Sequence, residues 1–320
     1  MRTATLIVRT ADTLIFPSGT IHPTSYPSDF SDLFIQLSLM NTTVNGKGTI
    51  VDGTYLAGEM LWQITSQPTY TWCLFNDWVF TKFSKPIATR QFAWSTAPYI
   101  IFRDCTFLDS TTDLFIMKGG TLIFENCVFK NITGRAVKSI SEFRSDFVDC
   151  IFENCNSLFF QSSSGTFTNC KFIGMHGQRG GAIYAIRSTI SIINCHFINC
   201  IADVSGGALY IRDSPEKYES EVIDSCFINT KAEVNGSAIY VYESNLALSR
   251  NCFESESSVY AFGSNVSNEE TKYDAKCNEC LKKEPKKYIE IDYTPTDTNK
   301  WFQFDDLKSG TTIVVGDDEL

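Results

Sequence analysis

Few residues in this 320-residue chain could do chemistry, and they are scattered. There are three histidines, His22, His176 and His196. Acidic doublets occur at Asp305-Asp306 and Asp317-Asp318, and one Cys-x-x-Cys runs from Cys277 to Cys280. Glycoside hydrolysis needs two carboxylates several ångströms apart, but both doublets lie in the tail. A zinc site needs four ligands, and no second cysteine or histidine pair follows Cys280, so a cap disulfide or two free thiols is the expectation there. His176 and Arg179, in His176-Gly177-Gln178-Arg179, read as a turn that could meet an acidic sugar, with a solvated turn as the plainer reading. His196 lies between Cys195 and Phe197 and is expected to face outward. No phosphate loop and no nucleophile elbow occurs, so the sequence names no catalytic, metal or cofactor-binding residue.

Regular spacing says more than these isolated groups. One phrase returns eight times: apolar, any residue, Asn or Asp, usually Cys, any residue, Phe. Its Phe positions are Phe80, Phe107, Phe129, Phe152, Phe172, Phe197, Phe227 and Phe253. Three residues before each stand Asp77, Asp104, Asn126, Asp149, Asn169, Asn194, Asp224 and the misfit Arg250. Two residues earlier still come Phe75, Phe102, Phe124, Phe147, Phe167, Ile192, Val222 and Leu248. A repeat of this length denotes stacked supersecondary units.

Within each phrase two runs alternate with opposite parity, as strand residues do. Both runs reach the core only if the chain bends at the Asn or Asp, residue types that tolerate a left-handed corner. Gly180-Gly181-Ala182-Ile183-Tyr184, Gly206-Gly207-Ala208-Leu209-Tyr210 and Gly236-Ser237-Ala238-Ile239-Tyr240 add a third strand. Three short strands per repeat make one coil of a parallel β-helix. Its coils lie about 4.8 Å apart, so eight give a rod on the order of 40 Å long. Phe then stacks on Phe, and Cys on Cys at Cys105, Cys127, Cys150, Cys170 and Cys195, with Trp78, Ser225 and Asn251 completing the slot. Asn131, Asn154, Asn199 and Asn229 are expected to form an inward amide ladder. Cys155 and Cys200 stack, or pair if oxidised. Buried structural thiols are the reading for the ladder cysteines.

The pairing of Asn-Cys-x-Phe-x-Asn with Gly-Gly-Ala-Ile-Tyr resembles the repeats of the polymorphic outer-membrane-protein family and of related protist surface families. The resemblance covers roughly residues 72–262, with Phe-x-Asn in place of that family's Phe-x-x-Asn. It implies an all-β, right-handed parallel β-helix of the pectin-lyase-like class, about eight or more coils long, with irregular caps at both ends. The expected divisions are an N-terminal cap with irregular first coils (1–71), the repeats (72–263) and a C-terminal cap or tail (264–320). The resemblance also implies a non-catalytic extracellular or cell-surface chain that adheres to or recognises a protein or glycan. The alternative is a pectin-lyase-like carbohydrate-active enzyme. Polygalacturonases place Asn-Thr-Asp, Asp-Asp, Gly-His-Gly and Arg-Ile-Lys on successive coils, and these do not occur here in order.

Composition narrows the partners. The net charge is −10, which disfavours nucleic acid, since phosphate binding relies on Lys and Arg. It equally disfavours anionic membranes. No apolar window is long enough for a membrane-spanning helix. Residues Ala4–Val8 are too short for a signal-peptide core, which leaves a cytoplasmic location as the alternative to display. Sequons stand at Asn41, Asn131, Asn235 and Asn265. Asn131 is expected to be inaccessible, and Asn235 and Asn265 to lie in turns. The segment Asp213–Glu221, with Pro215, Glu216 and Lys217, is the insert expected to project as a recognition loop. The tail offers two strand candidates, Trp301–Phe304 and Thr311–Val315.

Overall fold

A computed structural model describes residues 42–55, 72–91, 99–214, 219–254 and 258–277, and five short stretches: 6–8, 13–16, 18–21, 35–37 and 312–314. These residues form strands joined by turns, with a 3₁₀ turn at Gly53–Tyr55. The strands pair in parallel, each with its equivalent in the next repeat, to form a parallel β-helix.

Each coil has three walls. In a middle coil, wall A is Ser164–Thr168, wall B is Lys171–Ile173 and wall C is Ile183–Ile186. The turn from A to B passes through the Asn or Asp of the repeat. Asp77, Asp104, Asn126, Asp149, Asn169, Asn194 and Asp224 all hold φ between 50° and 59°. Arg250 takes the same conformation, with φ 50°. The polar side chains of this corner join one coil to the next. Asn169 donates to Asp149 at 3.1 Å, and Asn194 donates to Asn169 at 2.8 Å. The misfit Arg250 continues the chain of bonds, donating to both Asp224 carboxylate oxygens at 2.7 and 2.9 Å.

The wall B phenylalanines form one unbroken stack from Phe80 to Phe253, and Tyr273 extends it. Centroids lie 4.6–5.2 Å apart along its length. Wall A carries a second stack, Phe75, Phe102, Phe124, Phe147 and Phe167, spaced 4.8–5.3 Å. The two stacks meet edge to face, as between Phe167 and Phe172 at 5.5 Å. Offset and edge-to-face contacts are both favourable for aromatic rings and add to the burial of the rings themselves.

The slot after the corner satisfies backbone groups that the bend leaves open. Cys170 Sγ donates to the carbonyls of Phe147 and Thr168 at 3.5 and 3.4 Å, and the other ladder cysteines repeat the pattern. Where cysteine is absent, Trp78 donates to Val44, and Ser225 accepts from Cys195 N and donates to Ile223. Asn251 accepts from Ser225 N and donates to Val222. Burial pushes the Cys127 and Cys170 thiols up. Cys155 and Cys200 are pushed up to about 12 by the same cause. Both are free, because Met175 occupies the level between them: His176 N donates to Cys155 O and Ile201 N to Met175 O.

A third corner precedes wall A. Ser162, Arg187, Asp213 and Glu243 hold φ of 44–55°, each followed by a serine. Ser188, Ser244 and Ser264 accept from the backbone N–H of Ser163, Ser214 and Ser244 respectively, at 3.0–3.2 Å. The glycine pairs enter wall C. Gly180, Gly206 and Gly236 have φ of 61–70°. A Cβ on Gly207 would sit 2.0 Å from the Ser237 carbonyl oxygen of the next coil, so a side chain there has no room.

Several expectations need correction. Asn131 is exposed, not inward: it holds φ 57° and donates to Asp109 at 2.9 Å. Asn154, Asn199 and Asn229 are exposed left-handed corners too, and Gly174 interrupts their ladder. The bend at this second corner turns the side chain out, as it does at the first. His196 is buried, at 8% exposure, although its strand position alternates outward. Parallel pairing joins the repeats to both expected end segments. Thr42–Asp52 pairs with Trp72–Thr81 at one end. At the other, Asn265–Glu269 pairs with Asn245–Ser249 and Lys272–Tyr273 with Cys252–Phe253. Thr312–Val314 pairs with Thr13–Ile15 at the N-terminal end, not with the last coil.

Two substitutions test the packing. Phe172 is fully buried between Phe152 and Phe197, so Phe172→Ala should cost about 3–5 kcal/mol in a denaturation experiment. Gly207→Ala should cost about 1–3 kcal/mol or prevent folding. An unchanged midpoint in either variant would contradict the assigned packing.

Candidate recognition face

Strand alternation forces every second wall C residue outward. On successive coils one outward position is Lys138, Phe159, Tyr184, Tyr210, Tyr240 and Tyr260, each in register with the next. The neighbouring outward position brings Arg212, Tyr242 and Phe262 together on the last three of these coils. Tyr210, Tyr240 and Tyr260 stack at 4.8 and 5.4 Å. Tyr184 meets Phe159 and Tyr210 edge to face at 5.3 and 5.2 Å. Tyr242 stacks on Phe262 at 5.5 Å. The result is a patch of seven aromatic rings across five coils, reaching greatest exposure at Tyr260 (39%) and Phe262 (54%).

Guanidinium groups flank these rings. Arg135 lies over Phe159 at 5.0 Å, and Arg179 over Tyr210 and Arg212 over Tyr242 at 5.8 Å each. Within about 6 Å of a ring centroid a cation is attracted to the π face. Arg212 is also paired with Asp213 at 2.8 Å, and Arg135 and Lys138 share Asp113 at 3.9 and 3.8 Å. Burial raises the Tyr210 hydroxyl above its ordinary value, so it keeps its proton at neutral pH.

The sequence-derived candidates fall around this face. His176 and Arg179 belong to a short strand, His176–Arg179, not a turn. It pairs with Ile201–Ser205 in a small separate sheet between walls B and C. His176 lies 2.9 Å from Asp203, with both side chains more than half exposed. Arg179 turns instead toward Tyr210, so the two are not joined on one ligand position. Two outward carboxylates of walls A and B are engaged across coils, Glu125 with Arg103 at 2.7 Å and Glu153 with Lys130 at 3.3 Å. Exposed pairs of this kind contribute little to stability. The corner residues Asp77, Asp104, Asp149 and Asp224 serve the bend.

Asn265 opens an exposed strand, and Asn235 is half-buried, bridged to Ser205. Asn41, His22, Cys280, both acidic doublets, Trp301–Phe304 and Pro215, Glu216 and Lys217 of the insert lie outside the described residues. Asp213 and Ser214, where that segment begins, form the corner immediately beyond Arg212. Cys277 is bonded to Cys226 of wall B, with Cα atoms 5.8 Å apart. No group of three or more potential metal ligands is gathered among the described residues, and none of their helices is long and apolar enough to cross a membrane.

The outward tyrosines were visible in the sequence as the last residue of each Gly-Gly-Ala-Ile-Tyr motif. Reading the motif only as a strand entry missed that its Tyr has the opposite parity from the inward Ile or Leu before it. Compared with known proteins, residues 92–268 match the family described as right handed beta helix region. No curated protein and no solved structure gave a match. The matched stretch covers more than half of the chain and coincides with the stacked coils, so the protein belongs to the right-handed β-helix family.

Proposed function

We propose that this chain is a non-catalytic recognition rod that binds a protein or glycan partner, displayed at a cell surface or outside the cell. The aromatic patch of wall C carries this reading. Tyrosine offers large, rigid contact area with a polar tip at little entropic cost, and Tyr and Arg dominate binding hot spots. Here aromatic residues recur at one outward position per coil, with Arg135, Arg179 and Arg212 beside their rings, on a scaffold held rigid by two phenylalanine stacks. The inward and corner positions are accounted for by stacking and turning. The neighbouring outward position of wall C varies from coil to coil, as Arg212, Tyr242 and Phe262. Glu125, Glu153 and Asp224 are engaged with Arg or Lys on neighbouring coils, so these carboxylates are held by protein partners.

A glycan array and a panel of cell-surface proteins, probed with the purified chain, test this reading. A bound partner should lose about tenfold in affinity for Tyr260→Ala and for Arg179→Ala, as removal of a contact worth about 1.4 kcal/mol does, while both variants keep the wild-type melting curve. Full binding by the double variant would remove the patch as the site. Polysaccharide cleavage abolished by one Asp or Glu substitution would replace recognition by catalysis.

A further inference from the structure

Acidic residues are missing from the middle of the rod. The chain holds 37 Asp and Glu and carries a net charge of −10, yet residues 154–202 contain neither type. This stretch supplies two successive strands to each wall: 164–168 and 189–193 to wall A, 171–173 and 196–198 to wall B, 158–161 and 183–186 to wall C. At the two margins of wall C it places Arg179 and Arg187. Arg179 lies over the Tyr210 ring at 5.8 Å. Arg187 is an exposed corner residue, with φ 50°, directly after the strand Ile183–Ile186 that carries Tyr184. Among the described residues neither guanidinium makes an ion pair, whereas Arg212, one coil on, is bound to Asp213.

The stacked rings beside these cations turn their edges to solvent. Tyr240 has Tyr210 on one face and Tyr260 on the other, at interplanar angles of 13° and 11°. Tyr210 lies between Tyr240 and Arg179, and Tyr242 between Arg212 and Phe262. The face of an aromatic ring is its negative side and the edge its positive side. A sugar ring stacks its C–H bonds on aromatic faces, and here those faces are filled by neighbouring coils. Ring edges and guanidinium groups instead attract acceptor oxygens, and a guanidinium meets a carboxylate through two parallel hydrogen bonds.

We infer, on the reading of wall C as the recognition face, that its partner is an acidic protein segment. Carboxylates of that segment meet Arg179 and Arg187, and its apolar side chains lie over Tyr184 between them. The acid-free coils keep the rod's own negative charge away from the contact. Attraction of this kind chiefly speeds association and selects the partner, and it is screened by salt.

Fluorescein-labelled poly-L-glutamate, titrated with the full chain at about 50 mM salt, where screening is modest, tests the assignment. It should bind, and more weakly as salt rises. Arg187→Glu should weaken binding about tenfold or more. Glu243 holds φ 44° at the equivalent corner two coils on, so the backbone accepts this change and the melting curve should not move. Arg179→Ala should weaken binding similarly, and Lys171→Ala, on wall B of the same coil, should not. Polygalacturonate, which carries its carboxylates on a sugar chain, should compete about tenfold less well than unlabelled poly-L-glutamate. Equal or better competition by polygalacturonate would overturn the protein assignment and leave wall C as a glycan-binding face. No binding of poly-L-glutamate, or undiminished binding by Arg187→Glu, would overturn it as well. A partner from the glycan or protein panel that is lost with Tyr260→Ala but indifferent to Arg187→Glu would sink the acidic segment alone and leave the recognition face standing.

Discussion

Everything in this rod depends on one left-handed residue per coil between walls A and B. An L-residue at positive φ loses about 1–2 kcal/mol to contact between Cβ and backbone. Asn and Asp are the side chains that recover part of it through local hydrogen bonds. Spread over eight corners, that cost persists only because the bend turns two strands of opposite parity to face the same interior. Without it, either the wall A or the wall B phenylalanines would point to water. Arg250 shows that the constraint is on the backbone and not on the side chain, since it adopts the same φ and replaces the amide bond with a bidentate bond to Asp224.

Once the corner is set, in-register stacking transmits it. Each coil lays its Phe on the Phe before, its Cys beneath the carbonyls of the previous wall, and its polar corner within hydrogen-bonding reach of the last. Stability in such an array is largely a sum over nearest neighbours. That arrangement gives the outer surface its freedom. The inner positions are occupied by residues that must match their neighbours, while the outward wall C positions only need to fit a strand, so aromatic and guanidinium groups gather there without cost to the core.

The sequence announced the coil, the corner and the wall B phenylalanine stack, because each repeats with a fixed offset and each answers to strand parity. It was less clear where parity passes through a bend. Asn131 shares parity with Phe129, yet it is itself a corner residue and turns outward. The third corner carried its own marker, a serine after Ser162, Arg187, Asp213 and Glu243, but varied corner residues hid it. The disulfide partner of Cys277 lies 51 residues away, a distance at which no local spacing rule operates. Cys-x-x-Cys suggested a cap disulfide or two free thiols, and the bond that Cys277 makes joins a tail to a wall. The aromatic patch was written into a motif whose glycines drew attention from its tyrosine.

The inner sulfurs have a further meaning as reporters. Free thiols sit at successive levels from Cys73 to Cys200, each fully or nearly fully buried. A reagent reaches them only when the coil around them opens, so the rate of labelling at each cysteine measures the opening of its own level. The later coils place Ser225 and Asn251 at the equivalent inner level. Fraying from that end is therefore silent in such an experiment, while any breach of the middle of the rod is recorded at the level where it happens.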